Sequence, residues 1–301
     1  MSKYIRFDWA MKRLLRNKTN HVVLEGFLSV LLDQKIKIHR FLESERLRVG
    51  ELRSGIGNQE DANDKYNRVD IMCEDEDGRK LIIEVQNERQ YGYFYRMLYG
   101  VSKVITDYME RGQDYDNVDK VFSINIVYFD LGQGTDYVYR GRTDFRGLHD
   151  GEILKLSKRQ RELFGGEEPA DLMPEYFVLK VNNFNKVAKE SLDQWISFLK
   201  TGDIPEYFTA QGLPEAREKL RVDNLSEEER RNYFRELDRR MIEDDVTRSY
   251  YVDGKADGIE EGKKKGKKER ELEIARNLKG KVPIEIIMES TGLSAEDIEG
   301  L

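Results

Sequence analysis

The chain of 301 residues has one cysteine, Cys73, and only three histidines, His21, His39 and His149, which lie far apart. A single thiol excludes a disulfide framework and a cysteine zinc site, so any bound metal would have to be held mainly by carboxylates. No window approaches the roughly 18 consecutive apolar residues a membrane span requires, and no membrane partner is expected. The N-terminus, MSKYIRFDWAMKRLL, is basic and amphipathic and lacks the apolar stretch and small-residue cleavage site of a secretory signal, which makes a cytoplasmic location the expectation. Nor is there an excess of positive charge, because 51 Lys and Arg against 58 Asp and Glu leave a net −7. That excludes a global attraction to nucleic acid or anionic lipid, and a polyanionic substrate would need local patches or a bound cation.

What is present is a soluble globular profile, 36% charged and 39% apolar, long enough for one large domain or about two. Residues 19–32, TNHVVLEGFLSVLL, begin with Thr19 and Asn20 as candidate N-caps and carry Val23, Phe27, Val30 and Leu31 at helical spacing. IKIHRFL (36–42) alternates like a strand, and residues 50–67 read as loop. Residues 91–109 place Phe94, Leu98, Val101 and Ile105 at spacings of 4, 3 and 4, which predicts a helix packed on a sheet. VFSINIVYF (121–129), DYVYR (136–140), EILKL (152–156) and YFVLKV (176–181) read as further strands, and LDQWISFLK (192–200) as a helix. One α/β domain is therefore expected over residues 1–200.

Beyond Pro205 the chain turns to charged helices, with SEEER as a helix start whose carboxylates suit the dipole. Residues 201–252 read as a helical extension, and residues 253–301 as a glycine-periodic charged segment followed by a small helical tail. Gly254, Gly258, Gly262 and Gly266 recur every four residues, either as a flexible linker or as a helix whose small stripe lets two copies of the chain approach as a homo-oligomer. The tail has three short helical patterns with TGLS between the last two, which resembles a helix-turn-helix. Its last segment, SAEDIEGL, is acidic where a groove-reading helix should be basic or polar, which favours packing or oligomerisation over DNA contact.

The chemistry concentrates in RVDIMCEDEDGRKLIIEVQ, residues 68–86. A two-residue Asp77-Gly78 turn would mix polar and apolar side chains on both faces of a hairpin. A three-residue loop, Glu76-Asp77-Gly78, pairs Val69 with Val85, Ile71 with Ile83 and Cys73 with Leu81, giving one wholly apolar face. The other face then carries Arg68 with Gln86, Asp70 with Glu84 and Met72 with Ile82. A one-residue slip turns every side chain over, so burial selects the second register. It sets two carboxylates about 5 Å apart at Cβ, with Gln86 about 7 Å further along. Such a pair either points into water or shares a cation, and its oxygen ligands suit Mg²⁺, with Mn²⁺ as an alternative and the Val85 carbonyl as an added ligand. Arg89, Arg96 and Lys103, spaced by seven, read as either a solvated basic stripe or a DNA phosphate-contacting edge beside that site.

An aspartate on one strand followed by Glu-x-Lys on the next is the signature of the PD-(D/E)xK nuclease superfamily, and Asp70 with Glu84-Val85-Gln86 resembles it with Gln in the Lys place. LEGFLSVLL, NRVDIMCEDEDGRKLIIEVQ, YRMLYGVSK, VFSINIVYF, LDQWISFLK, the EEGKKKG run and STGLSAEDIEGL are together similar to the Rpn family (recombination-promoting nuclease/putative transposase). The resemblance implies a restriction-endonuclease-like α/β/α core with a mixed sheet, followed by a charged helical C-terminal region, and Mg²⁺-dependent hydrolysis of DNA phosphodiesters. It implies that Asp70 and Glu84 bind metal, that Gln86 orients the attacking water, and that Glu25 on the first core helix is an accessory acid. Gln86 brings no positive charge, which moves electrostatic work to the metal or to Arg96. The alternatives are a toxin-like or phage-defence nuclease with the same chemistry, and an inactive DNA- or protein-binding module on the nuclease fold.

Overall fold

The computed structural model describes residues 4–7, 9–10, 21–42, 70–109 and 114–301. Thr19 and Asn20, residues 50–67, and the pairing of Arg68 and Val69 with Gln86 and Val85 lie outside the described residues. The chain divides into two compact units, residues 1–225 and 226–301.

In the first unit a helix, α1 (His21–Leu32), precedes three strands, β1 (Ile38–Phe41), β2 (Ile71–Asp75) and β3 (Lys80–Gln86). The helix α2 (Tyr93–Tyr108) then leads to β4 (Val121–Val127) and β5 (Val138–Gly141). Two short helices, α3 (Lys158–Phe164) and α4 (Pro169–Leu172), precede β6 (Glu175–Lys180), and α5 (Ser191–Thr201) and α6 (Leu213–Lys219) follow it. The six strands form one mixed sheet in the order β1-β2-β3-β4-β6-β5. The hairpin makes β2 and β3 antiparallel, whereas the crossover through α2 makes β3 and β4 parallel, because a return on the same side needs a long connection. The central strands KLIIEVQ, VFSINIV and EYFVLK are buried on both faces, which explains their continuous apolar character.

The hairpin has the three-residue loop. Ile71 pairs with Ile83, Met72 with Ile82 and Cys73 with Leu81. Gly78 takes φ +79°, a conformation L side chains resist. The Asp75 carboxylate closes the bend by accepting from the amides of Asp77 at 3.1 Å and Arg79 at 2.9 Å.

Helix α2 covers one face, burying Tyr93, Met97, Val101 and Val104 against Met72, Ile82, Val121, Val127 and Val178. The expected stripe was therefore half wrong: Phe94 and Leu98 are exposed, and Ile105 is only partly buried. EILKL is also not a strand, since only Ile153 makes an isolated bridge, to Arg146. On the opposite face α1 and α5 join through an aromatic cluster in which Phe27 lies 5.5 Å from Phe7 and 5.3 Å from Trp195 between ring centroids. Residues 201–225, assigned from sequence to the helical extension, pack within this unit. The Trp195 indole donates to the Gln211 carbonyl at 3.1 Å, and the Ile5 amide to Leu220 at 2.6 Å.

Gly26 of α1 sits against the backbone of Gly212, where an added Cβ would fall 2.4 Å from the Gly212 Cα. Backbone cannot yield as a flexible side chain can. Gly26→Ala is therefore expected to destabilise by about 1–3 kcal/mol through overpacking, read as a lower urea midpoint at unchanged slope.

The second unit begins with Ser226, whose side chain and that of Glu229 form a capping box at the start of a 52-residue helix, α7 (Glu227–Leu278). The glycine-periodic stretch is thus helical. Its end packs with α8 (Ile284–Thr291) and α9 (Ala295–Glu299) around Ala275, Ile287, Leu293 and Ile298. A Cβ added at Gly254, Gly258, Gly262 or Gly266 meets nothing within 4 Å. Gly258→Ala is expected to raise helix stability by about 1 kcal/mol, seen as increased helical circular dichroism at elevated temperature.

Candidate functional site

Asp70 immediately precedes β2, and the Ile71–Ile83 pairing brings it opposite Glu84. The described ladder of β2 begins at Ile71, and just before it Asp70 Oδ2 accepts from the Val85 N–H at 2.8 Å. Two residues beyond Glu84 on the same strand, Gln86 donates from Nε2 to the Glu88 carbonyl at 3.2 Å.

Glu84 is buried, 6% exposed, on the face covered by α2. Its Oε1 accepts from Arg96 Nη2, and Arg96 Nη1 donates to Gln90 Oε1 at 3.2 Å. A carboxylate removed from water needs such a counter-charge. The parallel register sets Glu84 beside Asn125 of β4. Asn125 Oδ1 accepts from the Tyr93 hydroxyl at 3.2 Å, and its Nδ2 donates to Ser123 Oγ at 2.9 Å and to the Phe177 carbonyl at 3.3 Å. Burial pushes the Tyr93 phenol well up, and the charges of Glu84 and Asp70 push it further while Arg96 opposes them. One buried hydroxyl thus feels both carboxylates.

The other sequence candidates go elsewhere. Glu25 is buried on α1, where it accepts from Lys37 Nζ at 2.5 Å and from the Ile38 amide at 3.0 Å. Ile38 pairs with Asp75, five residues up β2 from Asp70, or about 16 Å along the strand. Its charge acts on Cys73, whose side chain lies on the face away from Glu84. Glu25 is therefore not brought to Asp70 and Glu84. Arg89 precedes α2 rather than lying on it, so the seven-residue stripe reduces to Arg96 and Lys103. Lys180, with a smaller contribution from Arg89, holds the exposed Asp130 below the usual carboxylate range. Lys103 pairs with Asp107 at 2.8 Å.

Two polar neighbours were missed. Asn125 interrupts the apolar run VFSINIV, and that interruption was the available signal; Tyr93 carried none, since one more tyrosine in YGYFYRMLYG does not stand out.

Among the described residues no group of three or more His, Cys, Asp or Glu side chains could hold a metal ion. The available donor set is the two carboxylates of Asp70 and Glu84. That chemistry fits a hard cation such as Mg²⁺, which commonly takes one or two carboxylates and completes its shell with water and phosphate oxygens. No described helix is long and apolar enough to cross a membrane.

No curated protein and no solved structure matches the chain. Residues 5–146, which span α1, the hairpin, α2, β4 and β5, match the model of the PD-(D/E)XK nuclease family transposases.

Proposed function

We propose that the protein is a divalent-metal-dependent endodeoxyribonuclease that hydrolyses DNA phosphodiester bonds, in the service of recombination or mobile elements. The observation that carries the reading is the meeting of Asp70, Glu84 and Arg96 at the end of the β2–β3 hairpin, within the segment that matches the nuclease family model.

Asp70 and Glu84 would hold the cation, with Mg²⁺ the first choice and Mn²⁺ the alternative. The bound cation supplies Lewis acidity to the scissile phosphate and makes water a better nucleophile. Gln86, at the end of β3, can donate a hydrogen bond to that water or to a phosphate oxygen but adds no charge. Arg96 provides the positive charge that a lysine in the Gln86 position would otherwise bring, and Tyr93 with Asn125 fixes the floor beneath the carboxylates. Arg89 and Lys103 would steer the DNA backbone without reading its sequence.

The test is incubation of purified protein with supercoiled plasmid in Mg²⁺, in Mn²⁺ and in EDTA. Nicking or linearisation confined to the metal-containing samples is expected. Tight DNA binding with no cleavage under any metal would instead support a binding module on the nuclease fold.

A further inference from the structure

Helix α2 buries the stripe of Tyr93, Met97, Val101 and Val104, which leaves Phe94, Tyr95, Leu98 and Tyr99 facing outward. Tyr95 is 80% exposed, Phe94 and Leu98 are each 56% exposed, half of Tyr99 is open to solvent, and Tyr91, just before the helix, is 94% exposed. A concentration of this kind on a highly charged chain marks an interaction surface. With 3.6 residues per turn, α2 presents three distinct flanks. Arg96 and Lys103 share the flank on which Arg96 reaches Glu84 of β3. Tyr95 and Tyr99 lie on the outer side, one turn and about 6 Å apart. Phe94 and Leu98 face β5 and β6, where with Tyr139, Tyr176 and Val178 they line an apolar groove of about 380 Å³ with Arg140 at its rim.

We propose that this face is a stacking platform for the unpaired bases of single-stranded DNA, leading from the groove across the outer side of α2 to the Glu84–Arg96 pair. The proposal rests on the nuclease reading above, which places a DNA backbone at that pair. Three observations select the occupant. Most of the exposed residues are aromatic rings, and every base offers a face to a ring whatever the sequence. Arg96 and Lys103 lie on the neighbouring flank of α2, beside Tyr95 and Tyr99, where a strand whose bases stack on the rings would place its phosphates. Attraction by charge alone is weak here, because Arg96 is paired with Glu84, Lys103 with Asp107, and the chain carries a net −7. Stacking is the source of affinity that such a surface has left. A duplex keeps its base faces hidden and cannot use it.

The experiment is fluorescence anisotropy of the full chain with a labelled oligothymidine and with a duplex of equal length, in EDTA so that cleavage plays no part. The single strand is expected to bind more tightly than the duplex. Phe94→Ala and Tyr95→Ala are each expected to weaken single-strand binding by about 5- to 150-fold, the equivalent of one stacked base. Tyr95→Phe, which keeps the ring, is expected to bind within about twofold of wild type, and circular dichroism should be unchanged in all three. Equal or tighter duplex binding would overturn the proposal, as would alanine variants that bind like wild type. A doubling of mass by light scattering that Phe94→Ala abolishes would also overturn it, by assigning the face to a second copy of the chain. Because binding is read without metal, the two readings fail separately. Single-strand binding without any cleavage defeats only the nuclease reading, and metal-dependent plasmid cleavage without single-strand preference defeats only the platform.

Discussion

Asp70→Asn is expected to lower metal-dependent plasmid cleavage by about 10³-fold, the scale of several kcal/mol that a bound cation contributes to a charged transition state. The amide keeps an oxygen that can still accept from the Val85 N–H, so the cap at the end of β3 survives while the charge is lost. Thermal stability should therefore stay within about 1 kcal/mol of wild type, the net worth of one such hydrogen bond. Asp70→Ala removes cap and charge together, and should lose the same activity with a measurably lower melting point. Calorimetric titration with Mn²⁺ provides a readout apart from turnover: heat of binding in wild type and none in Asp70→Asn is the expected contrast. Undiminished nicking by Asp70→Asn would show that the carboxylate pair is not the reacting site.

The second large effect concerns Arg96. Its guanidinium supplies the counter-charge of a carboxylate that is only 9% exposed at the side chain, while Arg96 itself is 22% exposed. Arg96→Ala removes this counter-charge from a buried carboxylate, which is expected to cost about 3 kcal/mol, the low end of the range for broken buried pairs because water reaches the arginine side. For a unit of this size that corresponds to a fall in melting temperature of roughly 6–12 °C. Adding Glu84→Gln to Arg96→Ala should recover most of the loss, since the buried charge is then gone. A divalent cation offers a second route: millimolar Mg²⁺ should raise the melting temperature of Arg96→Ala, where it replaces the missing positive charge, and should not do so in the double variant. An Arg96→Ala protein as stable as wild type would mean that Glu84 finds its compensation elsewhere.

The hairpin was legible residue by residue. Alternation with period two has only two registers, one of which buries charge, and Gly78 supplies the positive φ that the three-residue loop requires. Helix α2 was legible as a helix but not in its orientation. Tyr93-Met97-Val101-Val104 and Phe94-Leu98-Val101-Ile105 are overlapping apolar stripes that share Val101, and helical spacing is equally satisfied by both. The choice between them is made where the Tyr93 hydroxyl meets Asn125, a contact 32 residues apart in the chain. Glu25 illustrates the same limit from the other side. Its place on the first core helix agrees with an accessory acid, yet Lys37 and the Ile38 amide take its carboxylate some five residues of strand away from Asp70.

By itself, then, the sequence determined the hairpin register that sets Asp70 opposite Glu84, the mixed α/β character of the first unit and the charged character and helix start of the second, while it left the glycine-periodic stretch open between helix and linker. Each follows from periodicity or capping that acts over fewer than about 20 residues. Only the tertiary structure decided that Arg96 rather than solvent balances Glu84, that Asn125 and Tyr93 underlie the site, and that the rings of Phe94 and Tyr95 face outward. Those outcomes depend on the parallel register of β3 with β4 and on how α2 settles on the face they share. A crossover connection does not impose either through local spacing, because many arrangements satisfy the same local pattern and only burial across the whole sheet distinguishes them.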